Sequence, residues 1–211
     1  MTGVSSAPPI QADLAPGFAD PVDNAQRVFR AVLDAMAGPG RIIVPPLDTP
    51  SPIAGTLGPA ALAIGLSLFD FETNIWFDDA ARAASGYLRF HVNCPMAETP
   101  ASADFAMLGD PAGILPLNRF SLGTDASPER STTLIIELPA LTGGASVRLT
   151  GPGIETERDF APTGLPDGFW AARAELAELF PRGLDLIFTA GDRLSAMPRT
   201  TIAEPSFDRE P

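Results

Sequence analysis

Apolar residues recur along this chain in two rhythms, one spaced for helices and one alternating for strands. After Pro21-Val22-Asp23, the residues Phe29, Val32, Leu33 and Met36 return at helical intervals and predict an amphipathic helix, with Asp23 as its N-cap. Gly38-Pro39-Gly40 stops it, because Pro cannot continue a helix and Gly permits the reversal. Arg41 to Val44 reads as a short strand and Pro45 to Pro59 as a Pro-rich loop. Ala60 to Leu68 is apolar nearly all round, which predicts a buried helix. Asn74 to Phe77 reads as a strand. A helix follows from Asp78-Asp79 to about Phe90, its acidic start matching the positive end of the helix dipole, and Asn93-Cys94-Pro95 ends it.

In the second half the alternating rhythm dominates. Ala103 to Leu108 is a weak strand, and residues 109–131 form a Gly- and Pro-rich loop region. Thr132 to Leu138 (TTLIIEL) is the clearest strand, β-branched and closed by Pro139. Ser146 to Thr150 alternates and is half-buried; residues 142–160 read as a hairpin or meander turning at Gly151-Pro152-Gly153. Phe169, Ala172, Leu176, Leu179 and Phe180 share a helical face that Pro181 and Gly183 terminate. Leu184 to Thr189 and Arg193 to Met197 are strands around a Gly191-Asp192 turn. The pattern is one α/β domain, residues 21–203, with a mixed β-sheet flanked by helices. Residues 1–20 read as a disordered leader and 204–211 as a flexible tail.

Composition narrows the function. The 211 residues carry a net charge of −12, which repels phosphate backbones and anionic membranes. Every basic residue except His91 is Arg. Without Lys no Schiff base to pyridoxal phosphate forms, and the phosphate-loop lysine is missing. One Cys and one His give neither an intrachain disulfide nor the usual zinc set. The longest apolar run is far below the ~20 residues of a membrane span. A cytoplasmic, metal-free protein is the expectation.

Candidate chemistry is sparse. His91 and Cys94 lie in LRFHVNCP (Leu88 to Pro95) with Arg89 nearby. A Cys–His dyad needs facing side chains and an electropositive setting. A helix end, where Arg and His bond the last carbonyls, uses the same residues, and a ligand-facing role is the third possibility. Thr150-Gly151-Pro152-Gly153 is a turn rather than an anion nest, because Pro152 lacks a donor and Glu155 and Glu157 follow. Ser195 lacks a nucleophile elbow. Glu137 reads as an edge or solvent-face residue. Arg148 and Arg199 sit on or beyond strands, where each suits either an ion pair or bidentate grip of an oxyanion. An anion near so acidic a chain needs local cations, and Arg89, His91, Arg148 and Arg199 are the candidates.

Four segments carry a resemblance: Asn24 to Gly40 (NAQRVFRAVLDAMAGPG), LRFHVNCP, Val147 to Pro162 (VRLTGPGIETERDFAP), and Phe180 to Thr201 (FPRGLDLIFTAGDRLSAMPRTT). In this order and spacing the chain resembles the PhnH family of the carbon–phosphorus lyase pathway. The resemblance implies a subunit that joins PhnG, PhnI and PhnJ and, with the ATPase-like PhnL, supports replacement of the adenine of ATP by an alkylphosphonate. It implies a fold similar to pyridoxal-phosphate-dependent transferases without the cofactor, and a homodimer. It supplies no catalytic residue. The alternatives are a stand-alone small-molecule enzyme using Arg89 and Cys94, or a purely structural scaffold subunit.

Overall fold

The computed structural model describes residues 15–45 and 57–205. The predicted tail lies almost wholly outside these residues, as do most of the leader and most of the loop before Pro59. Helix α1 spans Pro21–Ala37 and α2 spans Pro59–Leu68. Strand β1 is Ile75–Phe77. A 3-10 turn at Ala81–Ala84 runs into α3, Ser85–Val92. Then come β2 (Phe105–Leu108), β3 (Thr133–Glu137), β4 (Val147–Thr150), β5 (Arg158–Phe160), α4 (Phe169–Ala177), β6 (Asp185–Ala190), β7 (Arg193–Met197) and β8 (Ile202–Pro205).

Five strands form one sheet in the order β1-β2-β3-β6-β7. The first four are parallel, and β7 closes the sheet antiparallel to β6 through the tight Gly191-Asp192 turn. Side chains alternate across it, so each strand feeds two cores. Phe77, Met107, Ile135, Ile187 and Ala196 form one registered row, which packs with α1, α2 and α3. Ala106, Leu134, Leu186 and Met197 form the neighbouring row on the opposite face. That face is covered by α4 and by an antiparallel sheet ordered β5-β4-β8. The architecture is the expected single α/β domain with a mixed sheet.

Local expectations are corrected in several places. Asp20, not Asp23, caps α1: its carboxylate accepts from the amides of Val22 and Asp23 at 3.1 and 3.0 Å. Asp23 instead pairs with Arg27 one turn on, at 2.7 Å. The buried face of α1 is Val28, Ala31, Val32 and Ala35, while Phe29 and Leu33 point outward. Small residues face inward because α1 must approach both α2 and β7 closely. The Arg41–Val44 strand reduces to a single antiparallel bridge between Ile43 and Leu194. Residues 109–131 hold three 3-10 turns. Strand β8, formed where a loop and tail were expected, pairs with β4.

The turn Gly38-Pro39-Gly40 wraps the β7 edge, with the Gly40 amide donating to the Ala196 carbonyl at 3.1 Å. The second such turn, Gly151-Pro152-Gly153, packs against it. Gly153 has φ +86°, and a Cβ there would overlap the carbonyl oxygen of Ala37. Arg158 of β5 donates to the carbonyls of Gly38 and Pro39, at 3.1 and 2.5 Å. Helix α1 and the small sheet are therefore joined at their turns. Gly153→Ala forces both a left-handed backbone and this overlap, so it should lower unfolding free energy by about 2 kcal/mol or more. Urea denaturation of the two proteins checks this.

Candidate functional site

Parallel sheets place ligands beyond the carboxyl ends of their strands, where chain segments diverge. Here a cleft of about 540 Å³ opens beyond β1, β2 and β3, lined by Ala80, Gly109, Asp110, Pro111, Glu137, Leu138, Pro139 and Gly164. Asp78, directly after β1, shapes its rim. Its carboxylate accepts from the amides of Ala81, Gly109 and Asp110, at 2.6, 3.1 and 2.9 Å. Two chain reversals are thus fastened to one side chain.

Glu137 is not an edge residue. It ends β3, the middle strand of the sheet. Its Oε2 accepts from the Thr189 hydroxyl at 2.6 Å and its Oε1 from the Gly191 amide at 3.0 Å. The Gly58 amide at the start of α2 also donates to it. Burial pushes the carboxyl above its ordinary value of 4.5, against the opposing pull of these bonds. The ionisable residues lining this cleft, Asp110 and Glu137, are carboxylates. Carboxylates in this lining offer acceptors to hydrogen-bond donors and disfavour anions. Among the described residues, no group of three or more His, Cys, Asp or Glu is placed to hold a metal ion.

The four cationic candidates do not converge. Arg89 and His91 lie on α3, whose Tyr87 and Leu88 enter the core under α1 and α2. Arg148 lies on β4, whose Val147 and Leu149 enter the core on the opposite face. Arg89 is exposed. His91 donates from Nε2 to the Ala15 carbonyl at 2.9 Å and packs edge-on against Tyr87, with ring centres 4.6 Å apart. Tyr87 in turn donates to the Pro16 carbonyl at 3.2 Å. The pair binds residues 15–16 to α3. Asn93 ends α3 in the left-handed conformation, its amide bonded to the Arg89 carbonyl at 2.9 Å. Cys94 is buried, and burial pushes its thiol up despite the Arg89 charge. Such a setting suppresses the thiolate.

Arg148 pairs with Glu157 at 3.3 Å and has Asp159 and Glu204 as its cross-strand neighbours. Arg199 is held in a denser network. Its guanidinium meets both oxygens of Asp185 and donates to the Pro128 carbonyl and the Ser131 hydroxyl, at 2.5 and 2.6 Å. It also lines a second cleft of about 320 Å³ with Pro152, Ala177, Phe180, Thr200 and Ile202. Arg173, one turn before Ala177, was not singled out from the sequence. It is 1% exposed and donates to the carbonyls of Pro198 and Thr201, at 2.9 and 3.4 Å. Its signal was its place on the apolar face of α4, four residues after Phe169 and three before Leu176. Ser195 is fully buried on β7, paired in register with Phe188.

Two variants probe this arrangement. Arg199→Gln removes the ion-pair partner of the largely buried Asp185 carboxylate, so stability should fall by about 2–3 kcal/mol. Arg148→Gln, at the surface, should cost less than about 1 kcal/mol. Chemical denaturation of both against the parent checks the contrast. For Glu137 the raised pKa means that the folded chain holds its proton longer than the unfolded chain. Its stabilising contribution is therefore present below pH 4.5 and is lost as pH rises through the raised value. Glu137→Gln should flatten that fall, read as a smaller drop in urea midpoint than the parent shows between pH 4.5 and neutrality.

Comparison with known proteins places this chain in a family. Residues 16–204 match the family described as "Bacterial phosphonate metabolism protein (PhnH)". A Rhizobium meliloti (strain 1021) protein, "Alpha-D-ribose 1-methylphosphonate 5-triphosphate synthase subunit PhnH", is 39% identical over 189 residues, covering 89% of this chain and 94% of its own length. The Stutzerimonas stutzeri "Putative C-P lyase subunit protein HtxG" is 30% identical over 176 residues, covering 83% and 84%. The match spans both cores, both Gly-Pro-Gly turns and the Arg199 network, and on that extent the chain belongs to the PhnH family of bacterial phosphonate metabolism proteins.

Proposed function

We propose that this chain acts as the PhnH subunit of a multi-subunit carbon–phosphorus lyase system. In that system it supports the exchange of the adenine of ATP for an alkylphosphonate, giving a ribose 1-phosphonate 5-triphosphate. The observation that carries this reading is the 39% identity across nearly the full length of a relative described as a synthase subunit. The partners are PhnG, PhnI and PhnJ, with a homodimer for the isolated chain, in the cytoplasm and without pyridoxal phosphate. The sequence contains no Lys to hold that cofactor as an internal aldimine. The stand-alone alternative fares worse, because Cys94 is buried with its thiol pushed up and Arg89 faces solvent. The acidic lining of the strand-end cleft argues that the triphosphate is handled mainly by other subunits. The four cationic candidates remain proposals for local contacts, with Arg89 the most accessible.

Deletion of the gene should abolish growth on methylphosphonate as sole phosphorus source, and growth on phosphate should be unchanged. Complementation by the parent and by Cys94→Ala should restore it equally. Growth of the deletion strain on methylphosphonate would overturn the subunit reading. Failure of Cys94→Ala at normal protein level would revive the nucleophile.

A further inference from the structure

Helix α1 has two apolar faces, and the fold uses one of them. Val28, Ala31, Val32 and Ala35 are buried against α2 and β7. On the other side Val22, Phe29 and Leu33 are 69%, 46% and 50% exposed. Val22, Phe29 and Met36 recur every seven residues, with Gln26 and Leu33 in the complementary positions. That is the spacing of a helix–helix seam, broken by one polar residue of the kind that sets register. Met36 sits at the seam's end and packs partly into the core. One flank of the seam descends to the body of the protein through Val32. The open flank carries Asp23, Arg27, Arg30 and Asp34. Asp23 and Arg27 neutralise each other. Arg30 and Asp34 are exposed, and neither enters an ion pair with another described residue.

We infer that this face of α1 docks an amphipathic helix of another subunit of the complex, an inference that rests on the subunit reading above. The occupant's apolar stripe repeats at heptad spacing, with an acidic residue opposite Arg30 and a basic residue opposite Asp34. Area favours another subunit over a second copy. From Val22 to Leu33 the strip is about 17 Å long and about 10 Å wide, on the order of 200 Å². A stable two-protein interface buries about 800 Å² on each partner. The strip is too small to hold a free-standing dimer by itself. It suits a helix anchored by further contacts within a larger assembly.

The test co-expresses the chain with PhnG, PhnI and PhnJ and compares the parent with Phe29→Gln/Leu33→Gln. The double variant should recover at least ten-fold less of the other subunits. Its circular dichroism, melting temperature and solution mass as an isolated chain should match the parent. Because an apolar-to-polar change carries some folding risk, Arg30→Glu/Asp34→Arg gives a second reading at exposed charged positions and should also lower recovery. Unchanged recovery for both variants sinks the docking proposal while leaving the subunit reading intact. A shift of the isolated Phe29→Gln/Leu33→Gln chain from dimer to monomer assigns the seam to a second copy and overturns the proposal. Absence of co-purification with the parent overturns the subunit reading, and the docking proposal falls with it.

Discussion

Strand β3 must be covered on both faces, and the rest of the fold follows from that. It is flanked on both edges, by β2 and β6, and its residues alternate between two cores. Ile135 enters one; Leu134 and Ile136 enter the other, and all three are fully buried. A strand in this position exposes no backbone donor or acceptor to water, and its side chains need protein above and below. Three helices supply one cover. A small antiparallel sheet with α4 supplies the other. The covers meet at the sheet's margin, where two Gly-Pro-Gly turns interlock because Gly alone tolerates the approach to the Ala37 carbonyl.

Three arginines hold this architecture together. Arg158 grips the carbonyls of the turn after α1, and Arg173 grips carbonyls on both sides of Arg199 and Thr200. Arg199 ties the end of β7 to β6 through Asp185 and to the 128–131 segment through Pro128 and Ser131. A guanidinium has five donors in a plane, which lets one side chain satisfy several buried carbonyls. That use consumes the positive charge an oxyanion would need.

Element identity and order were legible from the chain. The TLIIEL strand, the all-apolar α2 and the closing β6–β7 hairpin each carry a local signal strong enough to stand alone. The family was legible too, from four blocks that all lie within the matched residues 16–204. Less legible was which apolar face of α1 turns inward. Both Phe29/Leu33 and Val28/Ala31/Val32/Ala35 have helical spacing, and composition favours the larger side chains. Packing against α2 and β7 selects the smaller ones, because close approach of three backbones outweighs the larger burial per side chain.

The sequence by itself determined the class of fold, the exclusion of lysine chemistry and the family, because these depend on local periodicity, composition and ordered motifs. Only the tertiary structure decided the fate of each polar residue. Glu137 became a half-buried acceptor because three donors distant in sequence converge on it. Arg199 became a structural cation because β6 brings Asp185 beside it. His91 became a tether because residues 15–16 cross α3. The role of a polar side chain is set by its partners in space, and for these residues the partners lie 14 to 79 positions away along the chain.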